Sequence, residues 1–443
     1  MDILLYIVAL LVTLGILVTF HEFGHFVVAR WCGVRVLRFS VGFGPALWIW
    51  RDRHDTEFAI AAVPLGGYVR MLDEREGDVP DSALHQAFNR KSPGQRIAIA
   101  SAGPLANFLL AFLVYWGISV AGTQELVPVL GPVAADTPAY DAGFRGGEEI
   151  QRVDGQQTQS WSQIGMLLAG RLGDTGDIRI QARHLSAEAP SDYRIPIQRW
   201  QQGVDEPDLF GSLGIRPMLP AVVGSVLPDS PAEAAGLQPG DLVLAFNGEP
   251  VEDWQSWVSL VRAHPGEQVE LQVQRQYQQE RVEERVEVEI GRSEAQDDVG
   301  YVGVGPLTRE IRYSFFGGFG AGLQETWSTT ILTLDLLKKM VQGLVSTSNL
   351  SGPITIAKVA GDSAQAGVAS FFAVLALLSI SLGILNLLPI PILDGGHILF
   401  YTSELITGKP VPERVQIIGV QIGLLLVVGL MILAFYNDIS RLF

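Results

Sequence analysis

The chain has 443 residues, 48% of them hydrophobic and 18% charged, a balance that indicates a membrane protein with soluble parts rather than a wholly soluble protein. Its formal net charge of −16 argues against nucleic acid as a partner, because phosphate backbones bind basic surfaces. The single cysteine, Cys32, excludes an internal disulfide and a zinc cluster of several cysteines. We interpret it as a packing residue, and a single thiolate ligand is the alternative, which the spacing of the histidines does not favour.

The first element is an uncharged apolar run over residues 3–20. At 1.5 Å per residue, a helix of this length covers roughly 27 Å, which is nearly the hydrocarbon core of a bilayer. We predict a transmembrane helix over residues 3–29 that carries the next motif towards the cytoplasmic side. Asp2 stands where a signal peptide has basic residues, so we expect no cleavable signal sequence.

His21, Glu22 and His25 form the pattern H-E-x-x-H at the end of this run. Residues four apart share a helix face, so the two histidines can bind one metal ion while Glu22 reaches a metal-bound water. This is the arrangement of zinc peptidases. Ionisable side chains at membrane depth are costly unless they have a function. The structural alternative is that they hydrogen-bond to neighbouring helices.

The stretch 30–100 is basic, with ten Arg and Lys against eight Asp and Glu, and the positive-inside rule places it in the cytoplasm. Short strands are predicted at 34–36, 39–41 and 58–63, separated by turn signals at 42–45 and 64–67. Two interpretations stay open for these strands. They dip back towards the metal motif, where protein covers the backbone, or they form a purely structural cytoplasmic sheet.

A second span is predicted over residues 97–122 and returns the chain to the outer side. Small residues at 100–103 favour close packing of helices in lipid. Asn107 lies within this span. It is interpreted either as an interhelical hydrogen bond or as part of the wall of the site.

The long segment that follows is acidic and contains an internal repeat. Residues 123–312 hold 30 Asp and Glu against 15 Arg, a net charge of about −15 that we place outside the cytoplasm. Each copy has a hairpin signal, a helix that begins at Trp161 or Trp254, and a closing short strand at 212–215 or 301–304. Identities recur 93 residues apart at Val133 and Val226, Asp136 and Asp229, Pro138 and Pro231, Gly143 and Gly236, Gly147 and Gly240, Gly155 and Gly248, and Trp161 and Trp254.

Beyond the repeats, an amphipathic helix is predicted in the region 310–366. It is interpreted either as an interfacial helix on the outer membrane surface or as a helix packed on the repeats. Its apolar face would comprise Trp327, Ile331, Leu334, Leu337, Val341 and Leu344.

Two further spans are predicted over residues 371–388 and 417–435, which puts both termini on the outer side. The loop after the first of them contains Asp394, at the same cytoplasmic depth as His25. Peptidase zinc takes three protein ligands plus a water, so Asp394 is the candidate third ligand. His397 is its competitor, and an ordinary turn aspartate before two glycines is the structural alternative.

Together these motifs resemble the bacterial site-2 protease family, peptidase M50. The resemblance covers essentially the whole chain. It is carried by H-E-x-x-H in the first span, by Gly103-Pro104 and Asn107 in the second, by the two repeats, and by the pattern Asn-x-x-Pro-x-Pro-x-x-Asp-Gly-Gly-His at 386–397.

The resemblance implies a multi-domain α+β membrane protein. Four transmembrane helices would form a metalloprotease core with a membrane-associated β-rich loop, and two tandem β-rich PDZ domains would be inserted. The expected divisions are 1–122 with the first two spans, 123–220 and 221–309 as PDZ domains, 310–366 with the amphipathic helix, and 367–443 with the last two spans.

The resemblance also implies roles for individual residues. Glu22 would be the general base, and His21, His25 and Asp394 would bind one zinc ion per chain. Substrate would be bound by Gly67 and Tyr68 in a membrane-reentrant hairpin, and by Asn386, Pro389 and Pro391. The PDZ residues that bind peptide would be Leu213, Gly214, Ile215, Val302, Gly303 and Val304.

The implied activity is zinc-dependent cleavage of transmembrane segments in the bacterial inner membrane, in a sigma-E stress response. Both termini and the PDZ domains would be periplasmic, and the active site would lie near the cytoplasmic side. Expected substrates are single-span membrane proteins, such as an anti-sigma factor already trimmed outside, and remnant signal peptides. Two alternatives stay open: a non-catalytic membrane scaffold, which has no use for Glu22, and a metal permease, which needs polar residues along a whole path.

Overall fold

The computed structural model describes residues 2–184, 187, 189–277, 280–293 and 299–441. They belong to two compact units. The helical unit comprises Met1–Gly122, Arg312–Val341 and Ser346–Phe443, and the β-rich unit comprises Thr123–Ile311 and Gln342–Val345. The predicted mixture of helices and strands is confirmed.

The elements follow in chain order. The α-helices are α1 (Asp2–Trp31), α2 (Pro93–Ala121), α3 (Pro138–Asp141), α4 (Trp161–Ala169), α5 (Pro231–Ala234), α6 (Trp254–Ala263), α7 (Phe315–Val341), α8 (Pro353–Ala366), α9 (Val368–Leu387), α10 (Asp394–Thr407) and α11 (Glu413–Ser440). Short 3-10 helices are Asp81–Gln86, Phe88–Arg90, Gly211–Leu213 and Thr347–Asn349. The strands are β1 (Val36–Arg51), β2 (Glu57–Met71), β3 (Thr123–Leu126), β4 (Val129–Leu130), β5 (Glu148–Val153), β6 (Gln156–Gln157), β7 (Gly176–His184), β8 (Ser191–Ile197), β9 (Pro217–Met218), β10 (Val223–Val226), β11 (Leu242–Phe246), β12 (Glu249–Pro250), β13 (Gln268–Tyr277), β14 (Glu280–Glu289), β15 (Gly291–Ser293), β16 (Val299–Tyr301), β17 (Val304–Pro306) and β18 (Thr308–Ile311).

Helices α1, α2, α9 and α11 are long and apolar enough to cross a membrane. They confirm the four predicted spans, with ends that differ by a few residues. Helix α2 begins before its apolar run because Ser92 and Gln95 form a capping box, in which each side chain accepts a hydrogen bond from the other residue's backbone N–H.

Strands β1 and β2 pair with each other and form a small sheet next to α1. Phe39 of β1 pairs with both Phe58 and Val69 of β2. The first half of β1 therefore lies between the two halves of β2, and the second half of β1 pairs with the first half of β2. The bend in β1 lies at Gly42 and Gly44, whose φ values of 91° and 87° suit glycine because it has no Cβ. The short strands and turn signals predicted here agree with this arrangement.

A hydrophobic cluster holds this sheet against the helices. Cys32 packs against the cluster, as predicted for it. Burying each large apolar side chain contributes about 1.5–3 kcal/mol, so the cluster fixes the sheet beside the helix that carries the two histidines. The buried members are Phe26, Ala29, Val34, Val36, Phe39 and Ile99.

Helix α7 packs along α2 through small residues, and its Leu337 packs against the buried cluster formed by α2 and α9. Gly318 lies against Val120, and a Cβ at Gly322 would be only 2.7 Å from the main-chain nitrogen of Trp116. Part of the predicted apolar face stays exposed, with Trp327 at 67% and Val341 at 89%, whereas Leu337 of the same face is packed. The close contacts with α2 follow the preference of helices in lipid for small residues. The interfacial position of this helix stays a prediction.

The β-rich unit contains two similar sheets, one in each repeat. Their strand orders are β8-β7-β5-β4-β9, with β6 beside β5, and β12-β11-β13-β14. Helices α4 and α6 follow the N-cap residues Ser160 and Asp253. The shorter helices α3 and α5 are capped by Thr137 and Ser230. The matching order of sheets, helices and caps supports the internal repeat.

The closing strand predicted at 212–215 is wrong, and the one predicted at 301–304 is interrupted, with Tyr301 at the end of β16 and Val304 at the start of β17. Gly214 and Gly303 both have a φ of 78°, a left-handed conformation that interrupts an extended strand. Gly211–Leu213 is a 3-10 helix. Strand β9 begins at Pro217, beyond the first loop, and β17 begins at Val304, at the end of the second. A Cβ at either glycine would lie 2.3 Å from the Cβ of Thr137 or Ser230, so the two loops are packed in the same way.

Strands β3 and β18 pair antiparallel where the β-rich unit begins and ends. They bring its two chain connections side by side. In the helical unit, a Cβ at Gly122 would accordingly lie 3.2 Å from the Cβ of Arg312. The β-rich unit is therefore an insertion whose removal leaves neighbouring ends.

Candidate active site

The predicted metal motif lies in the last third of α1 and faces α2. His21 and His25 are 8% and 9% exposed, and their Nε2 atoms are 3.2 Å apart. The helices approach closely because each has a glycine at the contact. A Cβ at Gly24 would lie 2.2 Å from the carbonyl oxygen of Ala102, and one at Gly103 would lie 2.3 Å from His25 Nε2. The backbone of α2 is therefore the wall behind the two imidazole rings.

A carbonyl group of α2 orients the His25 ring. His25 Nδ1 is 2.8 Å from the carbonyl oxygen of Ile99. A carbonyl oxygen only accepts hydrogen bonds, so Nδ1 carries the ring proton. Nε2 is then left with its lone pair and faces the site, which is the state that binds a metal ion.

Asn107 orients the His21 ring from the same helix. Its side-chain amide is 3.2 Å from His21 Nδ1, and its Oδ1 has no hydrogen-bond partner among the residues that the structure describes. The oxygen and nitrogen of an amide have the same shape, so the arrangement that satisfies both groups places Oδ1 against a protonated Nδ1. Asn107 thus lies in the wall of the site and also makes a hydrogen bond between α2 and α1.

Asp394 is the first residue of α10, and it meets the two histidines. Its Oδ2 atom is 3.2 Å from His21 Nε2 and 3.5 Å from His25 Nε2. The same oxygen is buried and has no hydrogen-bond partner in the part of the chain that the structure describes. Three ligand atoms thus converge from two segments that are far apart in sequence.

The spacing of these atoms fits a tetrahedral zinc site. Zinc binds nitrogen and oxygen at about 2.0–2.2 Å, so neighbouring ligand atoms lie roughly 3.3–3.5 Å apart. The observed separations are 3.2, 3.2 and 3.5 Å. A buried carboxylate oxygen without a donor is explained if it binds a metal ion.

His397 lies one turn further along α10 and does not join this cluster. Its ring stacks on Tyr401 with centroids 6.2 Å apart, and it meets Phe400 edge-on at 6.5 Å. Among the described residues, the group that could hold a metal ion is His21, His25 and Asp394. The geometry therefore favours Asp394 over its competitor.

Glu22 lies beside the histidines and faces the end of β2. A Cβ at Gly67 would be 3.3 Å from Glu22 Cγ and 3.1 Å from Val18 Cγ1. The main chain of Val69 also interacts with the Glu22 carboxylate. Tyr68 turns its ring towards Phe43, with stacked centroids 6.2 Å apart. The structure therefore brings Gly67 to the site and places Tyr68 in the neighbouring sheet.

The loop between α9 and α10 is folded tightly on the start of α10. A Cβ at Gly395 would lie 2.3 Å from the carbonyl oxygen of Leu387, so only glycine fits directly after Asp394. Pro391 packs against Gly419 of α11, at 3.3 Å from its notional Cβ. Asn386 is half-buried at the end of α9, and Pro389 is exposed. These contacts fix the position of Asp394, and they give Pro391 a packing role.

Sequence reasoning missed a clamp that joins α2 to α10. Arg96 of α2 donates to Glu404 of α10 at 2.6 Å, and their side chains are only 12% and 17% exposed. The Arg96 guanidinium also lies 4.8 Å from the ring centroid of Tyr401. An arginine just before an apolar run was the available signal, but its partner could not be identified from spacing.

Comparison with known proteins agrees with this geometry. The sequence profile of peptidase family M50 matches residues 9–430. The chain belongs to peptidase family M50. It is 42% identical to "Regulator of sigma-E protease RseP" of Escherichia coli (strain K12) over 443 residues, which cover 98% of each chain. It is also 42% identical to "Protease RseP" of Yersinia pestis over 451 residues and 41% identical to "Regulator of sigma E protease" of Salmonella typhi over 450 residues, with both chains covered completely in each case.

The family assignment decides between the functional classes. M50 enzymes are zinc-dependent peptidases, so the predicted zinc metalloprotease activity and zinc cofactor are confirmed. The non-catalytic scaffold and the metal permease are thereby excluded as the main function. The four apolar helices and the M50 relatives also support the predicted location in the bacterial inner membrane.

Proposed function

We propose that this M50 protease cleaves single-span membrane proteins inside the bilayer, at a zinc ion held by His21, His25 and Asp394. The observation that carries the proposal is the convergence of three ligand atoms within 3.5 Å of one another, two of them on an apolar helix long enough to span a membrane. Ionisable residues at that depth are typical of functional sites.

Glu22 is the general base of this proposal. Zinc held by His21, His25 and Asp394 would supply Lewis-acid chemistry, polarising the scissile carbonyl and lowering the pKa of a water molecule. Glu22 takes a proton from the attacking water and gives it to the amide nitrogen as the carbon–nitrogen bond breaks. Its position next to both histidines, and its contact with the Val69 main chain, hold the carboxylate towards the site.

Substrate binding is proposed along β2. A helical substrate hides its carbonyl groups in its own hydrogen bonds, so the segment to be cut must unwind and needs new backbone partners. The segment 67–71 pairs with the first half of β1, and its Gly67 end lies against Glu22. An unwound substrate can add to this strand as an extended segment. We propose that Gly67 and Tyr68 of this strand contact the substrate. We propose that Asn386, Pro389 and Pro391, in the segment before Asp394, also contact it.

The test is cleavage by purified full-length protein of a membrane-embedded peptide in lipid vesicles. Glu22→Gln should keep zinc at one per chain and abolish cleavage, because the amide cannot accept the proton. Glu76→Gln changes a 59% exposed glutamate of the cytoplasmic loop and should leave the rate unchanged. Turnover by the Glu22→Gln protein would remove Glu22 from the mechanism.

The proposed substrates follow from the M50 relatives. Proteins of E. coli and Salmonella typhi that match the whole chain are named regulators of sigma-E, so we propose a single-span anti-sigma factor, trimmed outside by another protease, as substrate. Remnant signal peptides are proposed as a second class. The charge asymmetry between the stretch 30–100 and the stretch 123–312 supports periplasmic termini and a periplasmic β-rich unit. Mass spectrometry of membrane peptides from cells with wild-type or Glu22→Gln protein tests both classes.

The two repeats are proposed to be PDZ domains, over 123–220 and 221–309. In the first repeat, the backbone N–H groups of Leu213 and Ile215 both donate to the carbonyl oxygen of Phe210, and that of Gly214 donates to Gly211. These loop amides already donate to carbonyl groups of the loop, so they are not available to bind a peptide carboxylate in the first repeat. This favours a different role, a steric filter that hinders substrates with a bulky outer domain.

Deletion of residues 126–308 tests the filter. Strands β3 and β18 bring the ends together, so a short linker can close the gap. The shortened protein should cut substrate that still carries its bulky outer domain, while the full-length chain should not. Equal discrimination by both proteins would refute the filter.

A further inference from the structure

A polar cavity of about 310 Å³ lies in the first repeat of the β-rich unit. Its walls come from β5 and β7, from the short segment around β6, and from β18. Four glutamines and a threonine line it together with one carboxylate, Glu149, and three guanidinium groups, those of Arg152, Arg183 and Arg309. None of its lining residues belongs to the metal motif or to the loop around Gly214.

Glu149 orients two of the three arginines. It is only 4% exposed, and its two oxygens bind different partners: Oε1 is 2.7 Å from Arg309 and Oε2 is 3.1 Å from Arg183. The Nε atom of Arg183 is buried and has no hydrogen-bond partner among the described residues. Two guanidinium groups are thus held in fixed positions, with donor capacity left over.

The charge of the cavity is opposite to that of its surroundings. Residues 123–312 carry 30 acidic residues against 15 arginines, yet the cavity holds three arginines against one carboxylate. In an acidic domain, a local excess of about two positive charges attracts anions. Planar guanidinium groups match carboxylate and phosphate oxygens.

The second repeat is an internal comparison for this cavity. Glu149 pairs with Arg183 in the ladder of β5 and β7, and the equivalent pair in β11 and β13 is Leu242 with Gln274. Likewise, Arg152 is opposite Gln181, whereas Ala245 is opposite Gln272. The same strands in the same register therefore do not need these charges to fold.

We propose that this cavity is an oxyanion-binding site, specific to the first repeat, that takes a carboxylate or phosphate group. Arg183 and Arg152 bind the anion, Glu149 holds Arg183 and Arg309 in place, and the glutamine amides bind the polar groups beside the anion. The volume suits a small ligand or one acidic side chain of a peptide.

Calorimetric titration of the full-length protein in detergent at low salt tests the site. The probes are inorganic phosphate, glutarate and an acetylated diglutamate peptide. At least one should bind saturably. Strongest binding of phosphate would identify a phosphate group as the ligand, and strongest binding of the peptide would identify an acidic side chain. Arg183→Gln copies the second repeat and should weaken binding about tenfold or more, since a charge-assisted hydrogen bond contributes roughly 1.5–3 kcal/mol.

Two further variants keep the test interpretable. Arg152→Ala also copies the second repeat, and because Arg152 is exposed it should weaken binding without lowering the melting temperature. Gln274→Ala, at the position equivalent to Arg183, should bind like wild type. If no probe binds, or if Arg152→Ala and Arg183→Gln both bind like wild type, the arginines only neutralise Glu149 and the proposal is wrong.

Discussion

Gly103→Ala should destroy the metal site by adding a single methyl group. The new Cβ would lie 2.3 Å from His25 Nε2 and 2.8 Å from His21 Cε1, whereas ordinary contact begins near 3.4 Å. The His25 ring would have to move by about 1 Å, and zinc–ligand distances tolerate only about 0.2 Å. Removing an outer partner of a zinc ligand already weakens affinity 10–100-fold. We therefore expect zinc affinity to fall by roughly 100-fold or more.

The assay is competition for zinc between the purified protein and a chelator of known affinity. Gly117→Ala is the matched control, since Gly117 lies on the same helix with nothing within 4 Å of its notional Cβ. Alanine in a helix interior is favoured over glycine by roughly 0.5–1 kcal/mol, so neither variant should melt earlier through loss of helix propensity. Wild-type zinc affinity and wild-type cleavage in Gly103→Ala would refute the wall of the site as described.

Three further tests examine Asp394, Asn107 and the pair of Arg96 and Glu404. Asp394→Asn should lose zinc or activity, measured as metal content and cleavage rate, and normal values for both would point to His397 instead. Asn107→Ala removes the partner of a ligand and should weaken zinc binding about 10–100-fold, whereas Asn107→Asp keeps an acceptor and should lose less. Arg96→Glu should lower zinc affinity because α10 is released, and adding Glu404→Arg should restore part of it; no recovery in the double variant would count against the clamp.

Local pattern was enough to predict the first half of the site. The spacing of His21 and His25 depends only on helix geometry, and the four spans follow from runs of apolar residues, so these predictions agree with the structure. Short strands and turns in the region of β1 and β2 were also predicted, because glycine and proline mark the turns, but their pairing was not. Glu22 followed from its place next to His21, although its contact with β2 did not.

Contacts between distant segments could not be predicted in the same way. Arg96 reads as a basic residue before a span, and only the packing of α2 on α10 shows its partner Glu404. The close contacts of α7 could not be predicted either, because Gly318 and Gly322 meet α2 while only Leu337 of the predicted apolar face packs against the cluster of α2 and α9. Apolar residues flank Gly214 and Gly303, a pattern that predicts strands, but the positive φ of both glycines cannot be predicted from it.

Helix α2 is the frame that joins the two halves of the metal site. Three of its residues make hydrogen bonds to the site: Ile99 to His25, Asn107 to His21, and Arg96 to Glu404 of α10. Every one of these contacts lies within the helical unit. The protein that lacks residues 126–308 should therefore bind zinc with the same affinity as the full-length chain, in the same competition assay, even if its choice of substrate changes. A loss of zinc on deletion, with the melting of the helical unit unchanged, would mean that the site depends on parts of the chain outside this frame.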